Sequence, residues 1–308
     1  MLGIRTYKHA RISGLLILNI ESSIMRKSLL TLGLLAAASA PVMAADYTDG
    51  DTHKNDYKWM QFNLMGAFDE LPGESSHDYI EMEFGGRSGI WELYGYVDFF
   101  NVLNNDSSDK AGSDRIFAKF APRMSLDGLT GKDLSFGPVK ELYIANQTVI
   151  NGGAEYSFET TELDQDGNPV VKSNEPLYQT FIGLGSDVEV PWLGKVGLNL
   201  YGMYDLNAKD WNGYQISANW FKPFYFFENG SFVSYQGYID YQFGVNDDFA
   251  ALNSSHGGQM YNGLYWHSDR FALGYGLKAY NDVYGLKDGG LAGKTSGFAH
   301  YVAATYKF

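Results

Sequence analysis

The sequence predicts an all-β fold: a transmembrane antiparallel β-barrel of about twelve strands, with both termini at the periplasmic face. Three observations predict it. Apolar and polar residues alternate with period two in runs that recur from residue 57 to residue 308. Each run is about ten residues long, which suits a strand tilted across a bilayer. The chain holds 23 Tyr, 20 Phe and 36 Gly against 8 Pro, a composition of strands joined by turns.

The chain opens with an address. Met25-Arg26-Lys27 supplies a short positive region, and Leu29 to Ala40 an apolar stretch too short to span. Val42-Met43-Ala44 ends in the small residues that a signal peptidase reads. Residues 25–44 therefore read as a signal peptide and 45–308 as the barrel. Residues 1–24 read as an upstream mis-start or extension. Beyond this region no apolar run approaches the ~18–20 residues that a spanning helix needs. Losing residues 1–44 takes the 23 basic and 36 acidic residues of the whole chain to 18 and 35, net −17. That charge argues against a nucleic-acid polymer as partner, because phosphate contacts need clustered Lys and Arg. With 0 Cys, a disulfide framework, a cysteine nucleophile and thiolate metal sites are excluded.

The strands follow in order. In the first, Met60, Phe62 and Leu64 alternate with Gln61 and Asn63. In the second, Ile80, Met82 and Phe84 alternate with Tyr79, Glu81 and Glu83. The third sets Trp91, Leu93, Val97 and Phe99 against Glu92, Tyr94, Tyr96 and Asp98. The fourth sets Ile116, Phe120 and Met124 against Lys119, Arg123 and Ser125. Further dyads lie near 139–149, 177–187, 196–205, 212–222, 231–243, 259–267, 270–280 and 297–308. The polar faces carry charge, as a wet lumen allows. Tyr57, Trp59, Trp91, Phe99, Trp211, Trp220, Tyr306 and Phe308 stand near strand ends and read as an interfacial girdle.

The connections alternate in length. The odd-numbered ones (69–77, 100–114, 150–176, 206–211, 244–258 and 281–296) are mostly long, polar and acidic, and are expected outside the cell. Among the even-numbered ones, Gly85 to Gly89, Pro191 to Lys195 and His267 to Arg270 read as tight turns, while Asp127 to Pro138 and Lys222 to Gly230 are longer. The last strand ends on Tyr306 and Phe308 of one face. A terminal Phe on an alternating strand is similar to the end that outer-membrane barrels show to the barrel assembly machinery.

Catalytic chemistry finds little support. A serine activated by histidine on one strand face needs His-x-Ser, and His267-Ser268 are adjacent, hence on opposite faces. His77 follows Ser75 by two, without a clear third member. Glu81 and Glu83 share a face, which a lumen wall explains as well as acid–base work does. Asp247-Asp248 reads as a solvated loop pair. Asp164, Asp166, Asn168 and Glu175 have calcium-loop spacing, but Pro169 replaces the required glycine and no helix pattern flanks them. Gly274-Tyr275-Gly276 lacks the third glycine of a dinucleotide site. No catalytic residue, metal or cofactor is expected.

The middle of the chain carries specific words: Leu129 to Tyr143 (LTGKDLSFGPVKELY) with Ala145-Asn146, Tyr79 to Glu83, Leu93 to Asp98, Gly183 to Asp187, and Asp210 to Tyr214. Together they resemble the Tsx family of nucleoside-specific outer-membrane channels. The stretches from His53 (HKNDYKWMQFNLMGAFDELPGESSHDY) and Asn219 (NWFKPFYFFENGSF) resemble one branch of that family. The resemblance implies a twelve-stranded, monomeric barrel whose narrow lumen passes nucleosides. It also implies surface loops used as receptors by phages and, in some relatives, by colicins.

Alternation then nominates a solute path. Tyr94, Tyr96 and Asp98 are expected to face inward beside Glu81 and Glu83. Lys119 and Arg123 enter from the next strand, then Glu141 and Tyr143, with Asn199, Tyr201 and Gln215 from later strands. A nucleoside offers a flat base for stacking, worth roughly 1–3 kcal/mol per base, and hydroxyls for carboxylates and amides. The expected partners are nucleosides or similar small solutes, outer-membrane lipid and lipopolysaccharide, the assembly machinery and phage. The alternative is a closed barrel that acts mainly as a surface structure or receptor; an enzyme comes third.

Overall fold

The computed structural model describes residues 45–103, 105–110, 114–153, 157–163, 169–173, 177–248 and 250–308, with side chains left undescribed over 154–176. The signal peptide (25–44), the upstream segment (1–24) and the ligand positions of the calcium-like spacing lie outside the described residues.

Twelve antiparallel strands close into a barrel. They are β1 (Tyr57–Glu70), β2 (Ser75–Ser88), β3 (Trp91–Phe100), β4 (Ile116–Ser125), β5 (Val139–Gly152), β8 (Tyr178–Val190), β9 (Gly194–Asp205), β10 (Asp210–Phe226), β11 (Phe232–Phe243), β12 (His256–His267), β13 (Phe271–Asn281) and β14 (Gly297–Lys307). Each pairs with its sequence neighbour in the barrel, and β1 closes on β14 from Gln61↔Lys307 to Phe68↔His300. Closure matters because a bilayer offers no water to an unpaired N–H or C=O. The start of β1 and the end of β14 lie at one end of the barrel, together with the 126–138 connection; the β3–β4, β5–β8, β11–β12 and β13–β14 connections leave from the other end.

Side chains obey the alternation. Leu64, Leu184, Leu200, Leu264, Leu273 and Val302 are exposed on the outer face. An apolar band of this extent is stable only against lipid. Inward residues are packed or hydrogen-bonded. On the β12–β1 side, Ala67, Ala272, Ala299 and Ala303 pack with Tyr79, Tyr265, Tyr280 and Tyr301 into a dry cluster. The Tyr265 ring lies over Gly274 and the Tyr261 hydroxyl over Gly276, each 2.2 Å from where a Cβ would sit. Only glycine admits rings this close.

The structure departs from expectation in several places. β10 continues to Phe226, so Lys222 to Phe226 of the expected connection is strand. The 150–176 connection contains a separate two-stranded sheet, β6 (Ser157–Leu163) with β7 (Pro169–Ser173). The Asp127–Pro138 connection begins with a short helix, α1 (Leu126–Thr130), whose N-cap Ser125 accepts from the Gly128 N–H at 3.0 Å and whose C-cap Gly131 is left-handed. Gly85 to Ser88 is strand, not turn. The two glycines make room there for the Trp59 ring and the Tyr57 carbonyl, 2.7 and 2.6 Å from the respective Cβ positions. Finally, Trp59 shares the lumenal face of β1 with Gln61 and Asn63, and its ring centroid lies 6.3 Å from that of Tyr94. Trp59 is not part of a lipid-facing girdle, nor is Tyr57, which shares its parity and stands opposite the lumenal Arg87. Phe308 keeps to the outer side, edge-on to Phe62 and Tyr306.

Candidate functional site

One lumen wall is acidic and aromatic. Glu81 and Glu83 project from β2, and Tyr94, Tyr96 and Asp98 from β3, in register as Glu83↔Tyr96 and Glu81↔Asp98. Asn63 on β1 donates to Glu81 at 2.6 Å and to Glu83 at 3.2 Å, and Gln61 donates to Glu83 at 2.6 Å. The Tyr94 hydroxyl donates to the other Glu83 oxygen at 2.9 Å. Tyr94 is 37% exposed and meets Tyr96 edge-on, while Tyr96 stacks one face on Phe117 at 5.9 Å. This wall therefore presents open ring surface beside hydrogen-bonded carboxylates.

Toward the end that carries the termini lies a dense ionic network. Arg87 on β2 forks onto both Glu141 oxygens at 3.0 and 3.1 Å and reaches Glu92 at 2.9 Å. Arg123 bonds Glu92 and, at 2.8 Å, Asp187, and its guanidinium lies 4.0 Å above the Tyr143 ring. The Tyr143 hydroxyl accepts from Arg87 at 2.6 Å and donates to Asp187 at 3.1 Å; Lys195 completes Asp187 at 2.9 Å. The planar guanidinium fork suits such shared carboxylates. Tyr47, ahead of β1, is buried against this end and donates to the Gly89 carbonyl at 3.2 Å.

That N-terminal segment is held by charge as well. Asp56 accepts from the Gly89 N–H at 2.8 Å and pairs with His53 at 2.8 Å. The hydrogen bond and charge of Asp56 raise the His53 pKa, and His53 lowers that of Asp56.

Toward the far end the lumen is crossed. Lys119 on β4 donates to Asp240 on β11 at 3.3 Å. Lys278 sits among Tyr238, Tyr280 and Tyr301, 5.1–5.8 Å from their ring centres, and 3.9 Å from Glu70. Glu70 also pairs with His77 at 3.1 Å, and His77 with Ser75 at 2.9 Å.

All twelve expected lumen residues take the inward face, but they separate by access. Glu81, Glu83, Tyr94, Tyr96 and Lys119 keep exposed or half-buried surface. Asp98, Arg123, Glu141, Tyr143, Asn199, Tyr201 and Gln215 are buried among neighbours. Tyr201 packs with Phe181, Ala145 and Met203, and Gln215 is held by Ser217 at 2.9 Å and Gln242 at 3.1 Å. Sequence reasoning passed over Arg87, Asp187, Lys195, Asp240 and Lys278. The parity of Glu81 and Glu83, continued four residues further, points to Arg87; the other four show no signal beyond their alternating positions.

A closed twelve-stranded barrel, lipid-compatible outside and charged within, defines an integral outer-membrane barrel. Residues 54–308 match the family model for the nucleoside-specific channel-forming protein Tsx, and the chain belongs to that family of channel-forming outer-membrane proteins. It is 68% identical over 284 residues to outer membrane protein OmpK of Vibrio parahaemolyticus, covering 92% of this chain and 100% of that one. It is 27% identical to the nucleoside-specific channel-forming protein Tsx of Klebsiella aerogenes, covering 89% of this chain and 99% of that one. The Tsx protein of Salmonella typhimurium is 25% identical, with 92% and 100% covered.

Proposed function

We propose that this barrel is a passive channel for small hydrophilic solutes, nucleosides first, with both termini in the periplasm and the long connections outside. The observation that carries the reading is the wall of Tyr94 and Tyr96 beside Glu81 and Glu83, within a chain that matches a nucleoside-specific channel family. The ring surface at Tyr94 stacks a base, and the carboxylates accept from ribose hydroxyls. Binding stays weak, since conduction needs release as well as entry. The barrel works as a monomer, enters the membrane through the assembly machinery by its Tyr306–Phe308 end, and offers its outer loops to phage. The test is single-channel recording in a planar bilayer: nucleoside added at micromolar to millimolar concentration interrupts the current, and a sugar of similar size does not.

A second reading has its own support. Tyrosine rings over glycines and the Lys119–Asp240 contact both fill the lumen, as a closed surface receptor would. Such a barrel gives a silent bilayer.

A further inference from the structure

The Lys119–Asp240 contact is unlike the other ion pairs. In the closed sheet β4 and β11 are five neighbours apart one way round and seven the other, so they stand on opposite walls. Every other strand-to-strand ion pair among the described residues joins strands at most three neighbours apart, as in Arg87–Glu141 or Arg123–Asp187. At 3.3 Å between Nζ and Oδ2, the two walls touch here.

The two partners are held differently. Asp240 is anchored from behind: its other oxygen accepts from the Ser217 hydroxyl at 2.5 Å and from Gln215 at 3.4 Å, and Gln215 is itself tied to Gln242. Lys119 has no second carboxylate among the described residues; its remaining neighbour is the Tyr238 ring, 5.7 Å from Nζ. The acid is thus a fixed catch and the lysine a long, rotatable hook. Both side chains are 14% exposed, so water reaches the pair.

We propose that Lys119 and Asp240 form a latch across the lumen, opened when a hydroxyl-bearing neutral solute takes over both partners. This rests on the channel reading above and adds its gating step. Lys119 is held by this one carboxylate, whereas Arg123 is held by two, so the Lys119–Asp240 pair is the easier to part. A solute hydroxyl donates to Asp240 and accepts from Lys119, replacing each contact it breaks. An apolar solute replaces neither. An anion satisfies the lysine but faces the uncovered aspartate, and a cation meets the reverse. Released, Lys119 rests over Tyr238, where the ring face stabilises its charge. The latch therefore discriminates by hydroxyl content and neutrality, which aromatic stacking alone does not do.

The test is ion conductance in potassium chloride, measured without nucleoside on wild type, Lys119→Gln, Asp240→Asn and Lys119→Arg. Each neutralised variant is expected to conduct at least about twofold more than wild type, with fewer brief closures, because the filter then lacks its cross-link. Lys119→Arg, which keeps the charge, is expected to restore part of the closure that Lys119→Gln loses. Raising salt screens the pair, so closures thin out in wild type and change little in the neutralised forms. Equal conductance in all four overturns the latch, as does silence in all four. A lower melting temperature with unchanged conductance makes the pair a structural brace and also overturns it. Nucleoside block is scored separately. Opening by neutralisation without block in any form keeps the latch and defeats the nucleoside reading; block with equal conductances does the reverse.

Discussion

Replacing Arg123 by methionine removes the charged guanidinium and keeps an unbranched apolar stem. Arg123 is buried, bonded to Glu92 and Asp187, and lies over the Tyr143 ring. Breaking a buried ion pair from one side typically costs 3–5 kcal/mol, because the surviving charge stays desolvated. Here each survivor keeps some company: Asp187 retains Lys195 at 2.9 Å and the Tyr143 hydroxyl at 3.1 Å, and Glu92 retains Arg87 at 2.9 Å. The cost therefore falls at the low end, about 3 kcal/mol. The lost cation–π contact is worth about 1 kcal/mol, which the methionine sulfur partly returns against the same ring. Urea unfolding in lipid vesicles, followed by tryptophan fluorescence and cold-gel mobility, measures the change. Asp187→Asn in the same background closes a double-mutant cycle, and the double variant is expected to lose less than the two singles combined. A loss for Arg123→Met below about 0.5 kcal/mol, or strict additivity, would refute the view that this network holds its carboxylates by shared guanidinium bonds.

Tyr96→Ala is expected to lower nucleoside uptake at micromolar concentration while ion conductance holds or rises; a size filter raises both, and an idle ring changes neither. Deleting Phe308, whose ring packs on Phe62 and Tyr306, is expected to reduce heat-modifiable folded barrel in the outer membrane without reducing synthesis. Shortening 155–172 is expected to abolish adsorption of any phage that uses this protein, and protease added to intact cells to cut there first; cleavage only after the outer membrane is opened inverts the topology. His53 is expected to titrate above a free imidazole, and Asp56→Asn to return it toward the ordinary value by NMR. Because the folded-state pKa is raised, the hold of His53 on Asp56 is complete below the ordinary histidine value and fades as pH climbs through the raised one.

The barrel strands were legible because a lipid-facing side chain and a lumen-facing one differ in kind at every second residue. Met60 to Leu64 and Phe298 to Tyr306 state their faces without any partner. Legibility failed where that contrast disappears. β6 and β7 belong to a separate sheet outside the barrel, so the barrel's rule does not mark them. Gly85 and Gly86 looked like a turn because their reason, a tryptophan ring and a carbonyl pressed against them, lies on another strand. Trp59 stands near a strand end, as a girdle residue does, but its parity with Gln61 turns it into the lumen. For the site, parity told which residues turn inward but not which are then covered. Tyr143 and Glu141 disappear beneath two arginines from other strands, and Tyr201 beneath Phe181. The pairing of Lys119 with Asp240 depends on how far apart the walls stand, which no local pattern encodes.

The seam between β1 and β14 has a consequence for how the chain comes into being. Met60 to Phe68 complete their bonding only with residues at the opposite end of the polypeptide. The molecule is a ring cut once, and the cut has been left where both loose ends share one mouth. While the ribosome is still working, every partial product has two raw edges, so no fragment is a smaller version of the whole. Neighbouring strands can pair earlier, but the ring keeps two edges until β14 is present, so shutting the β1–β14 seam is the step that removes them.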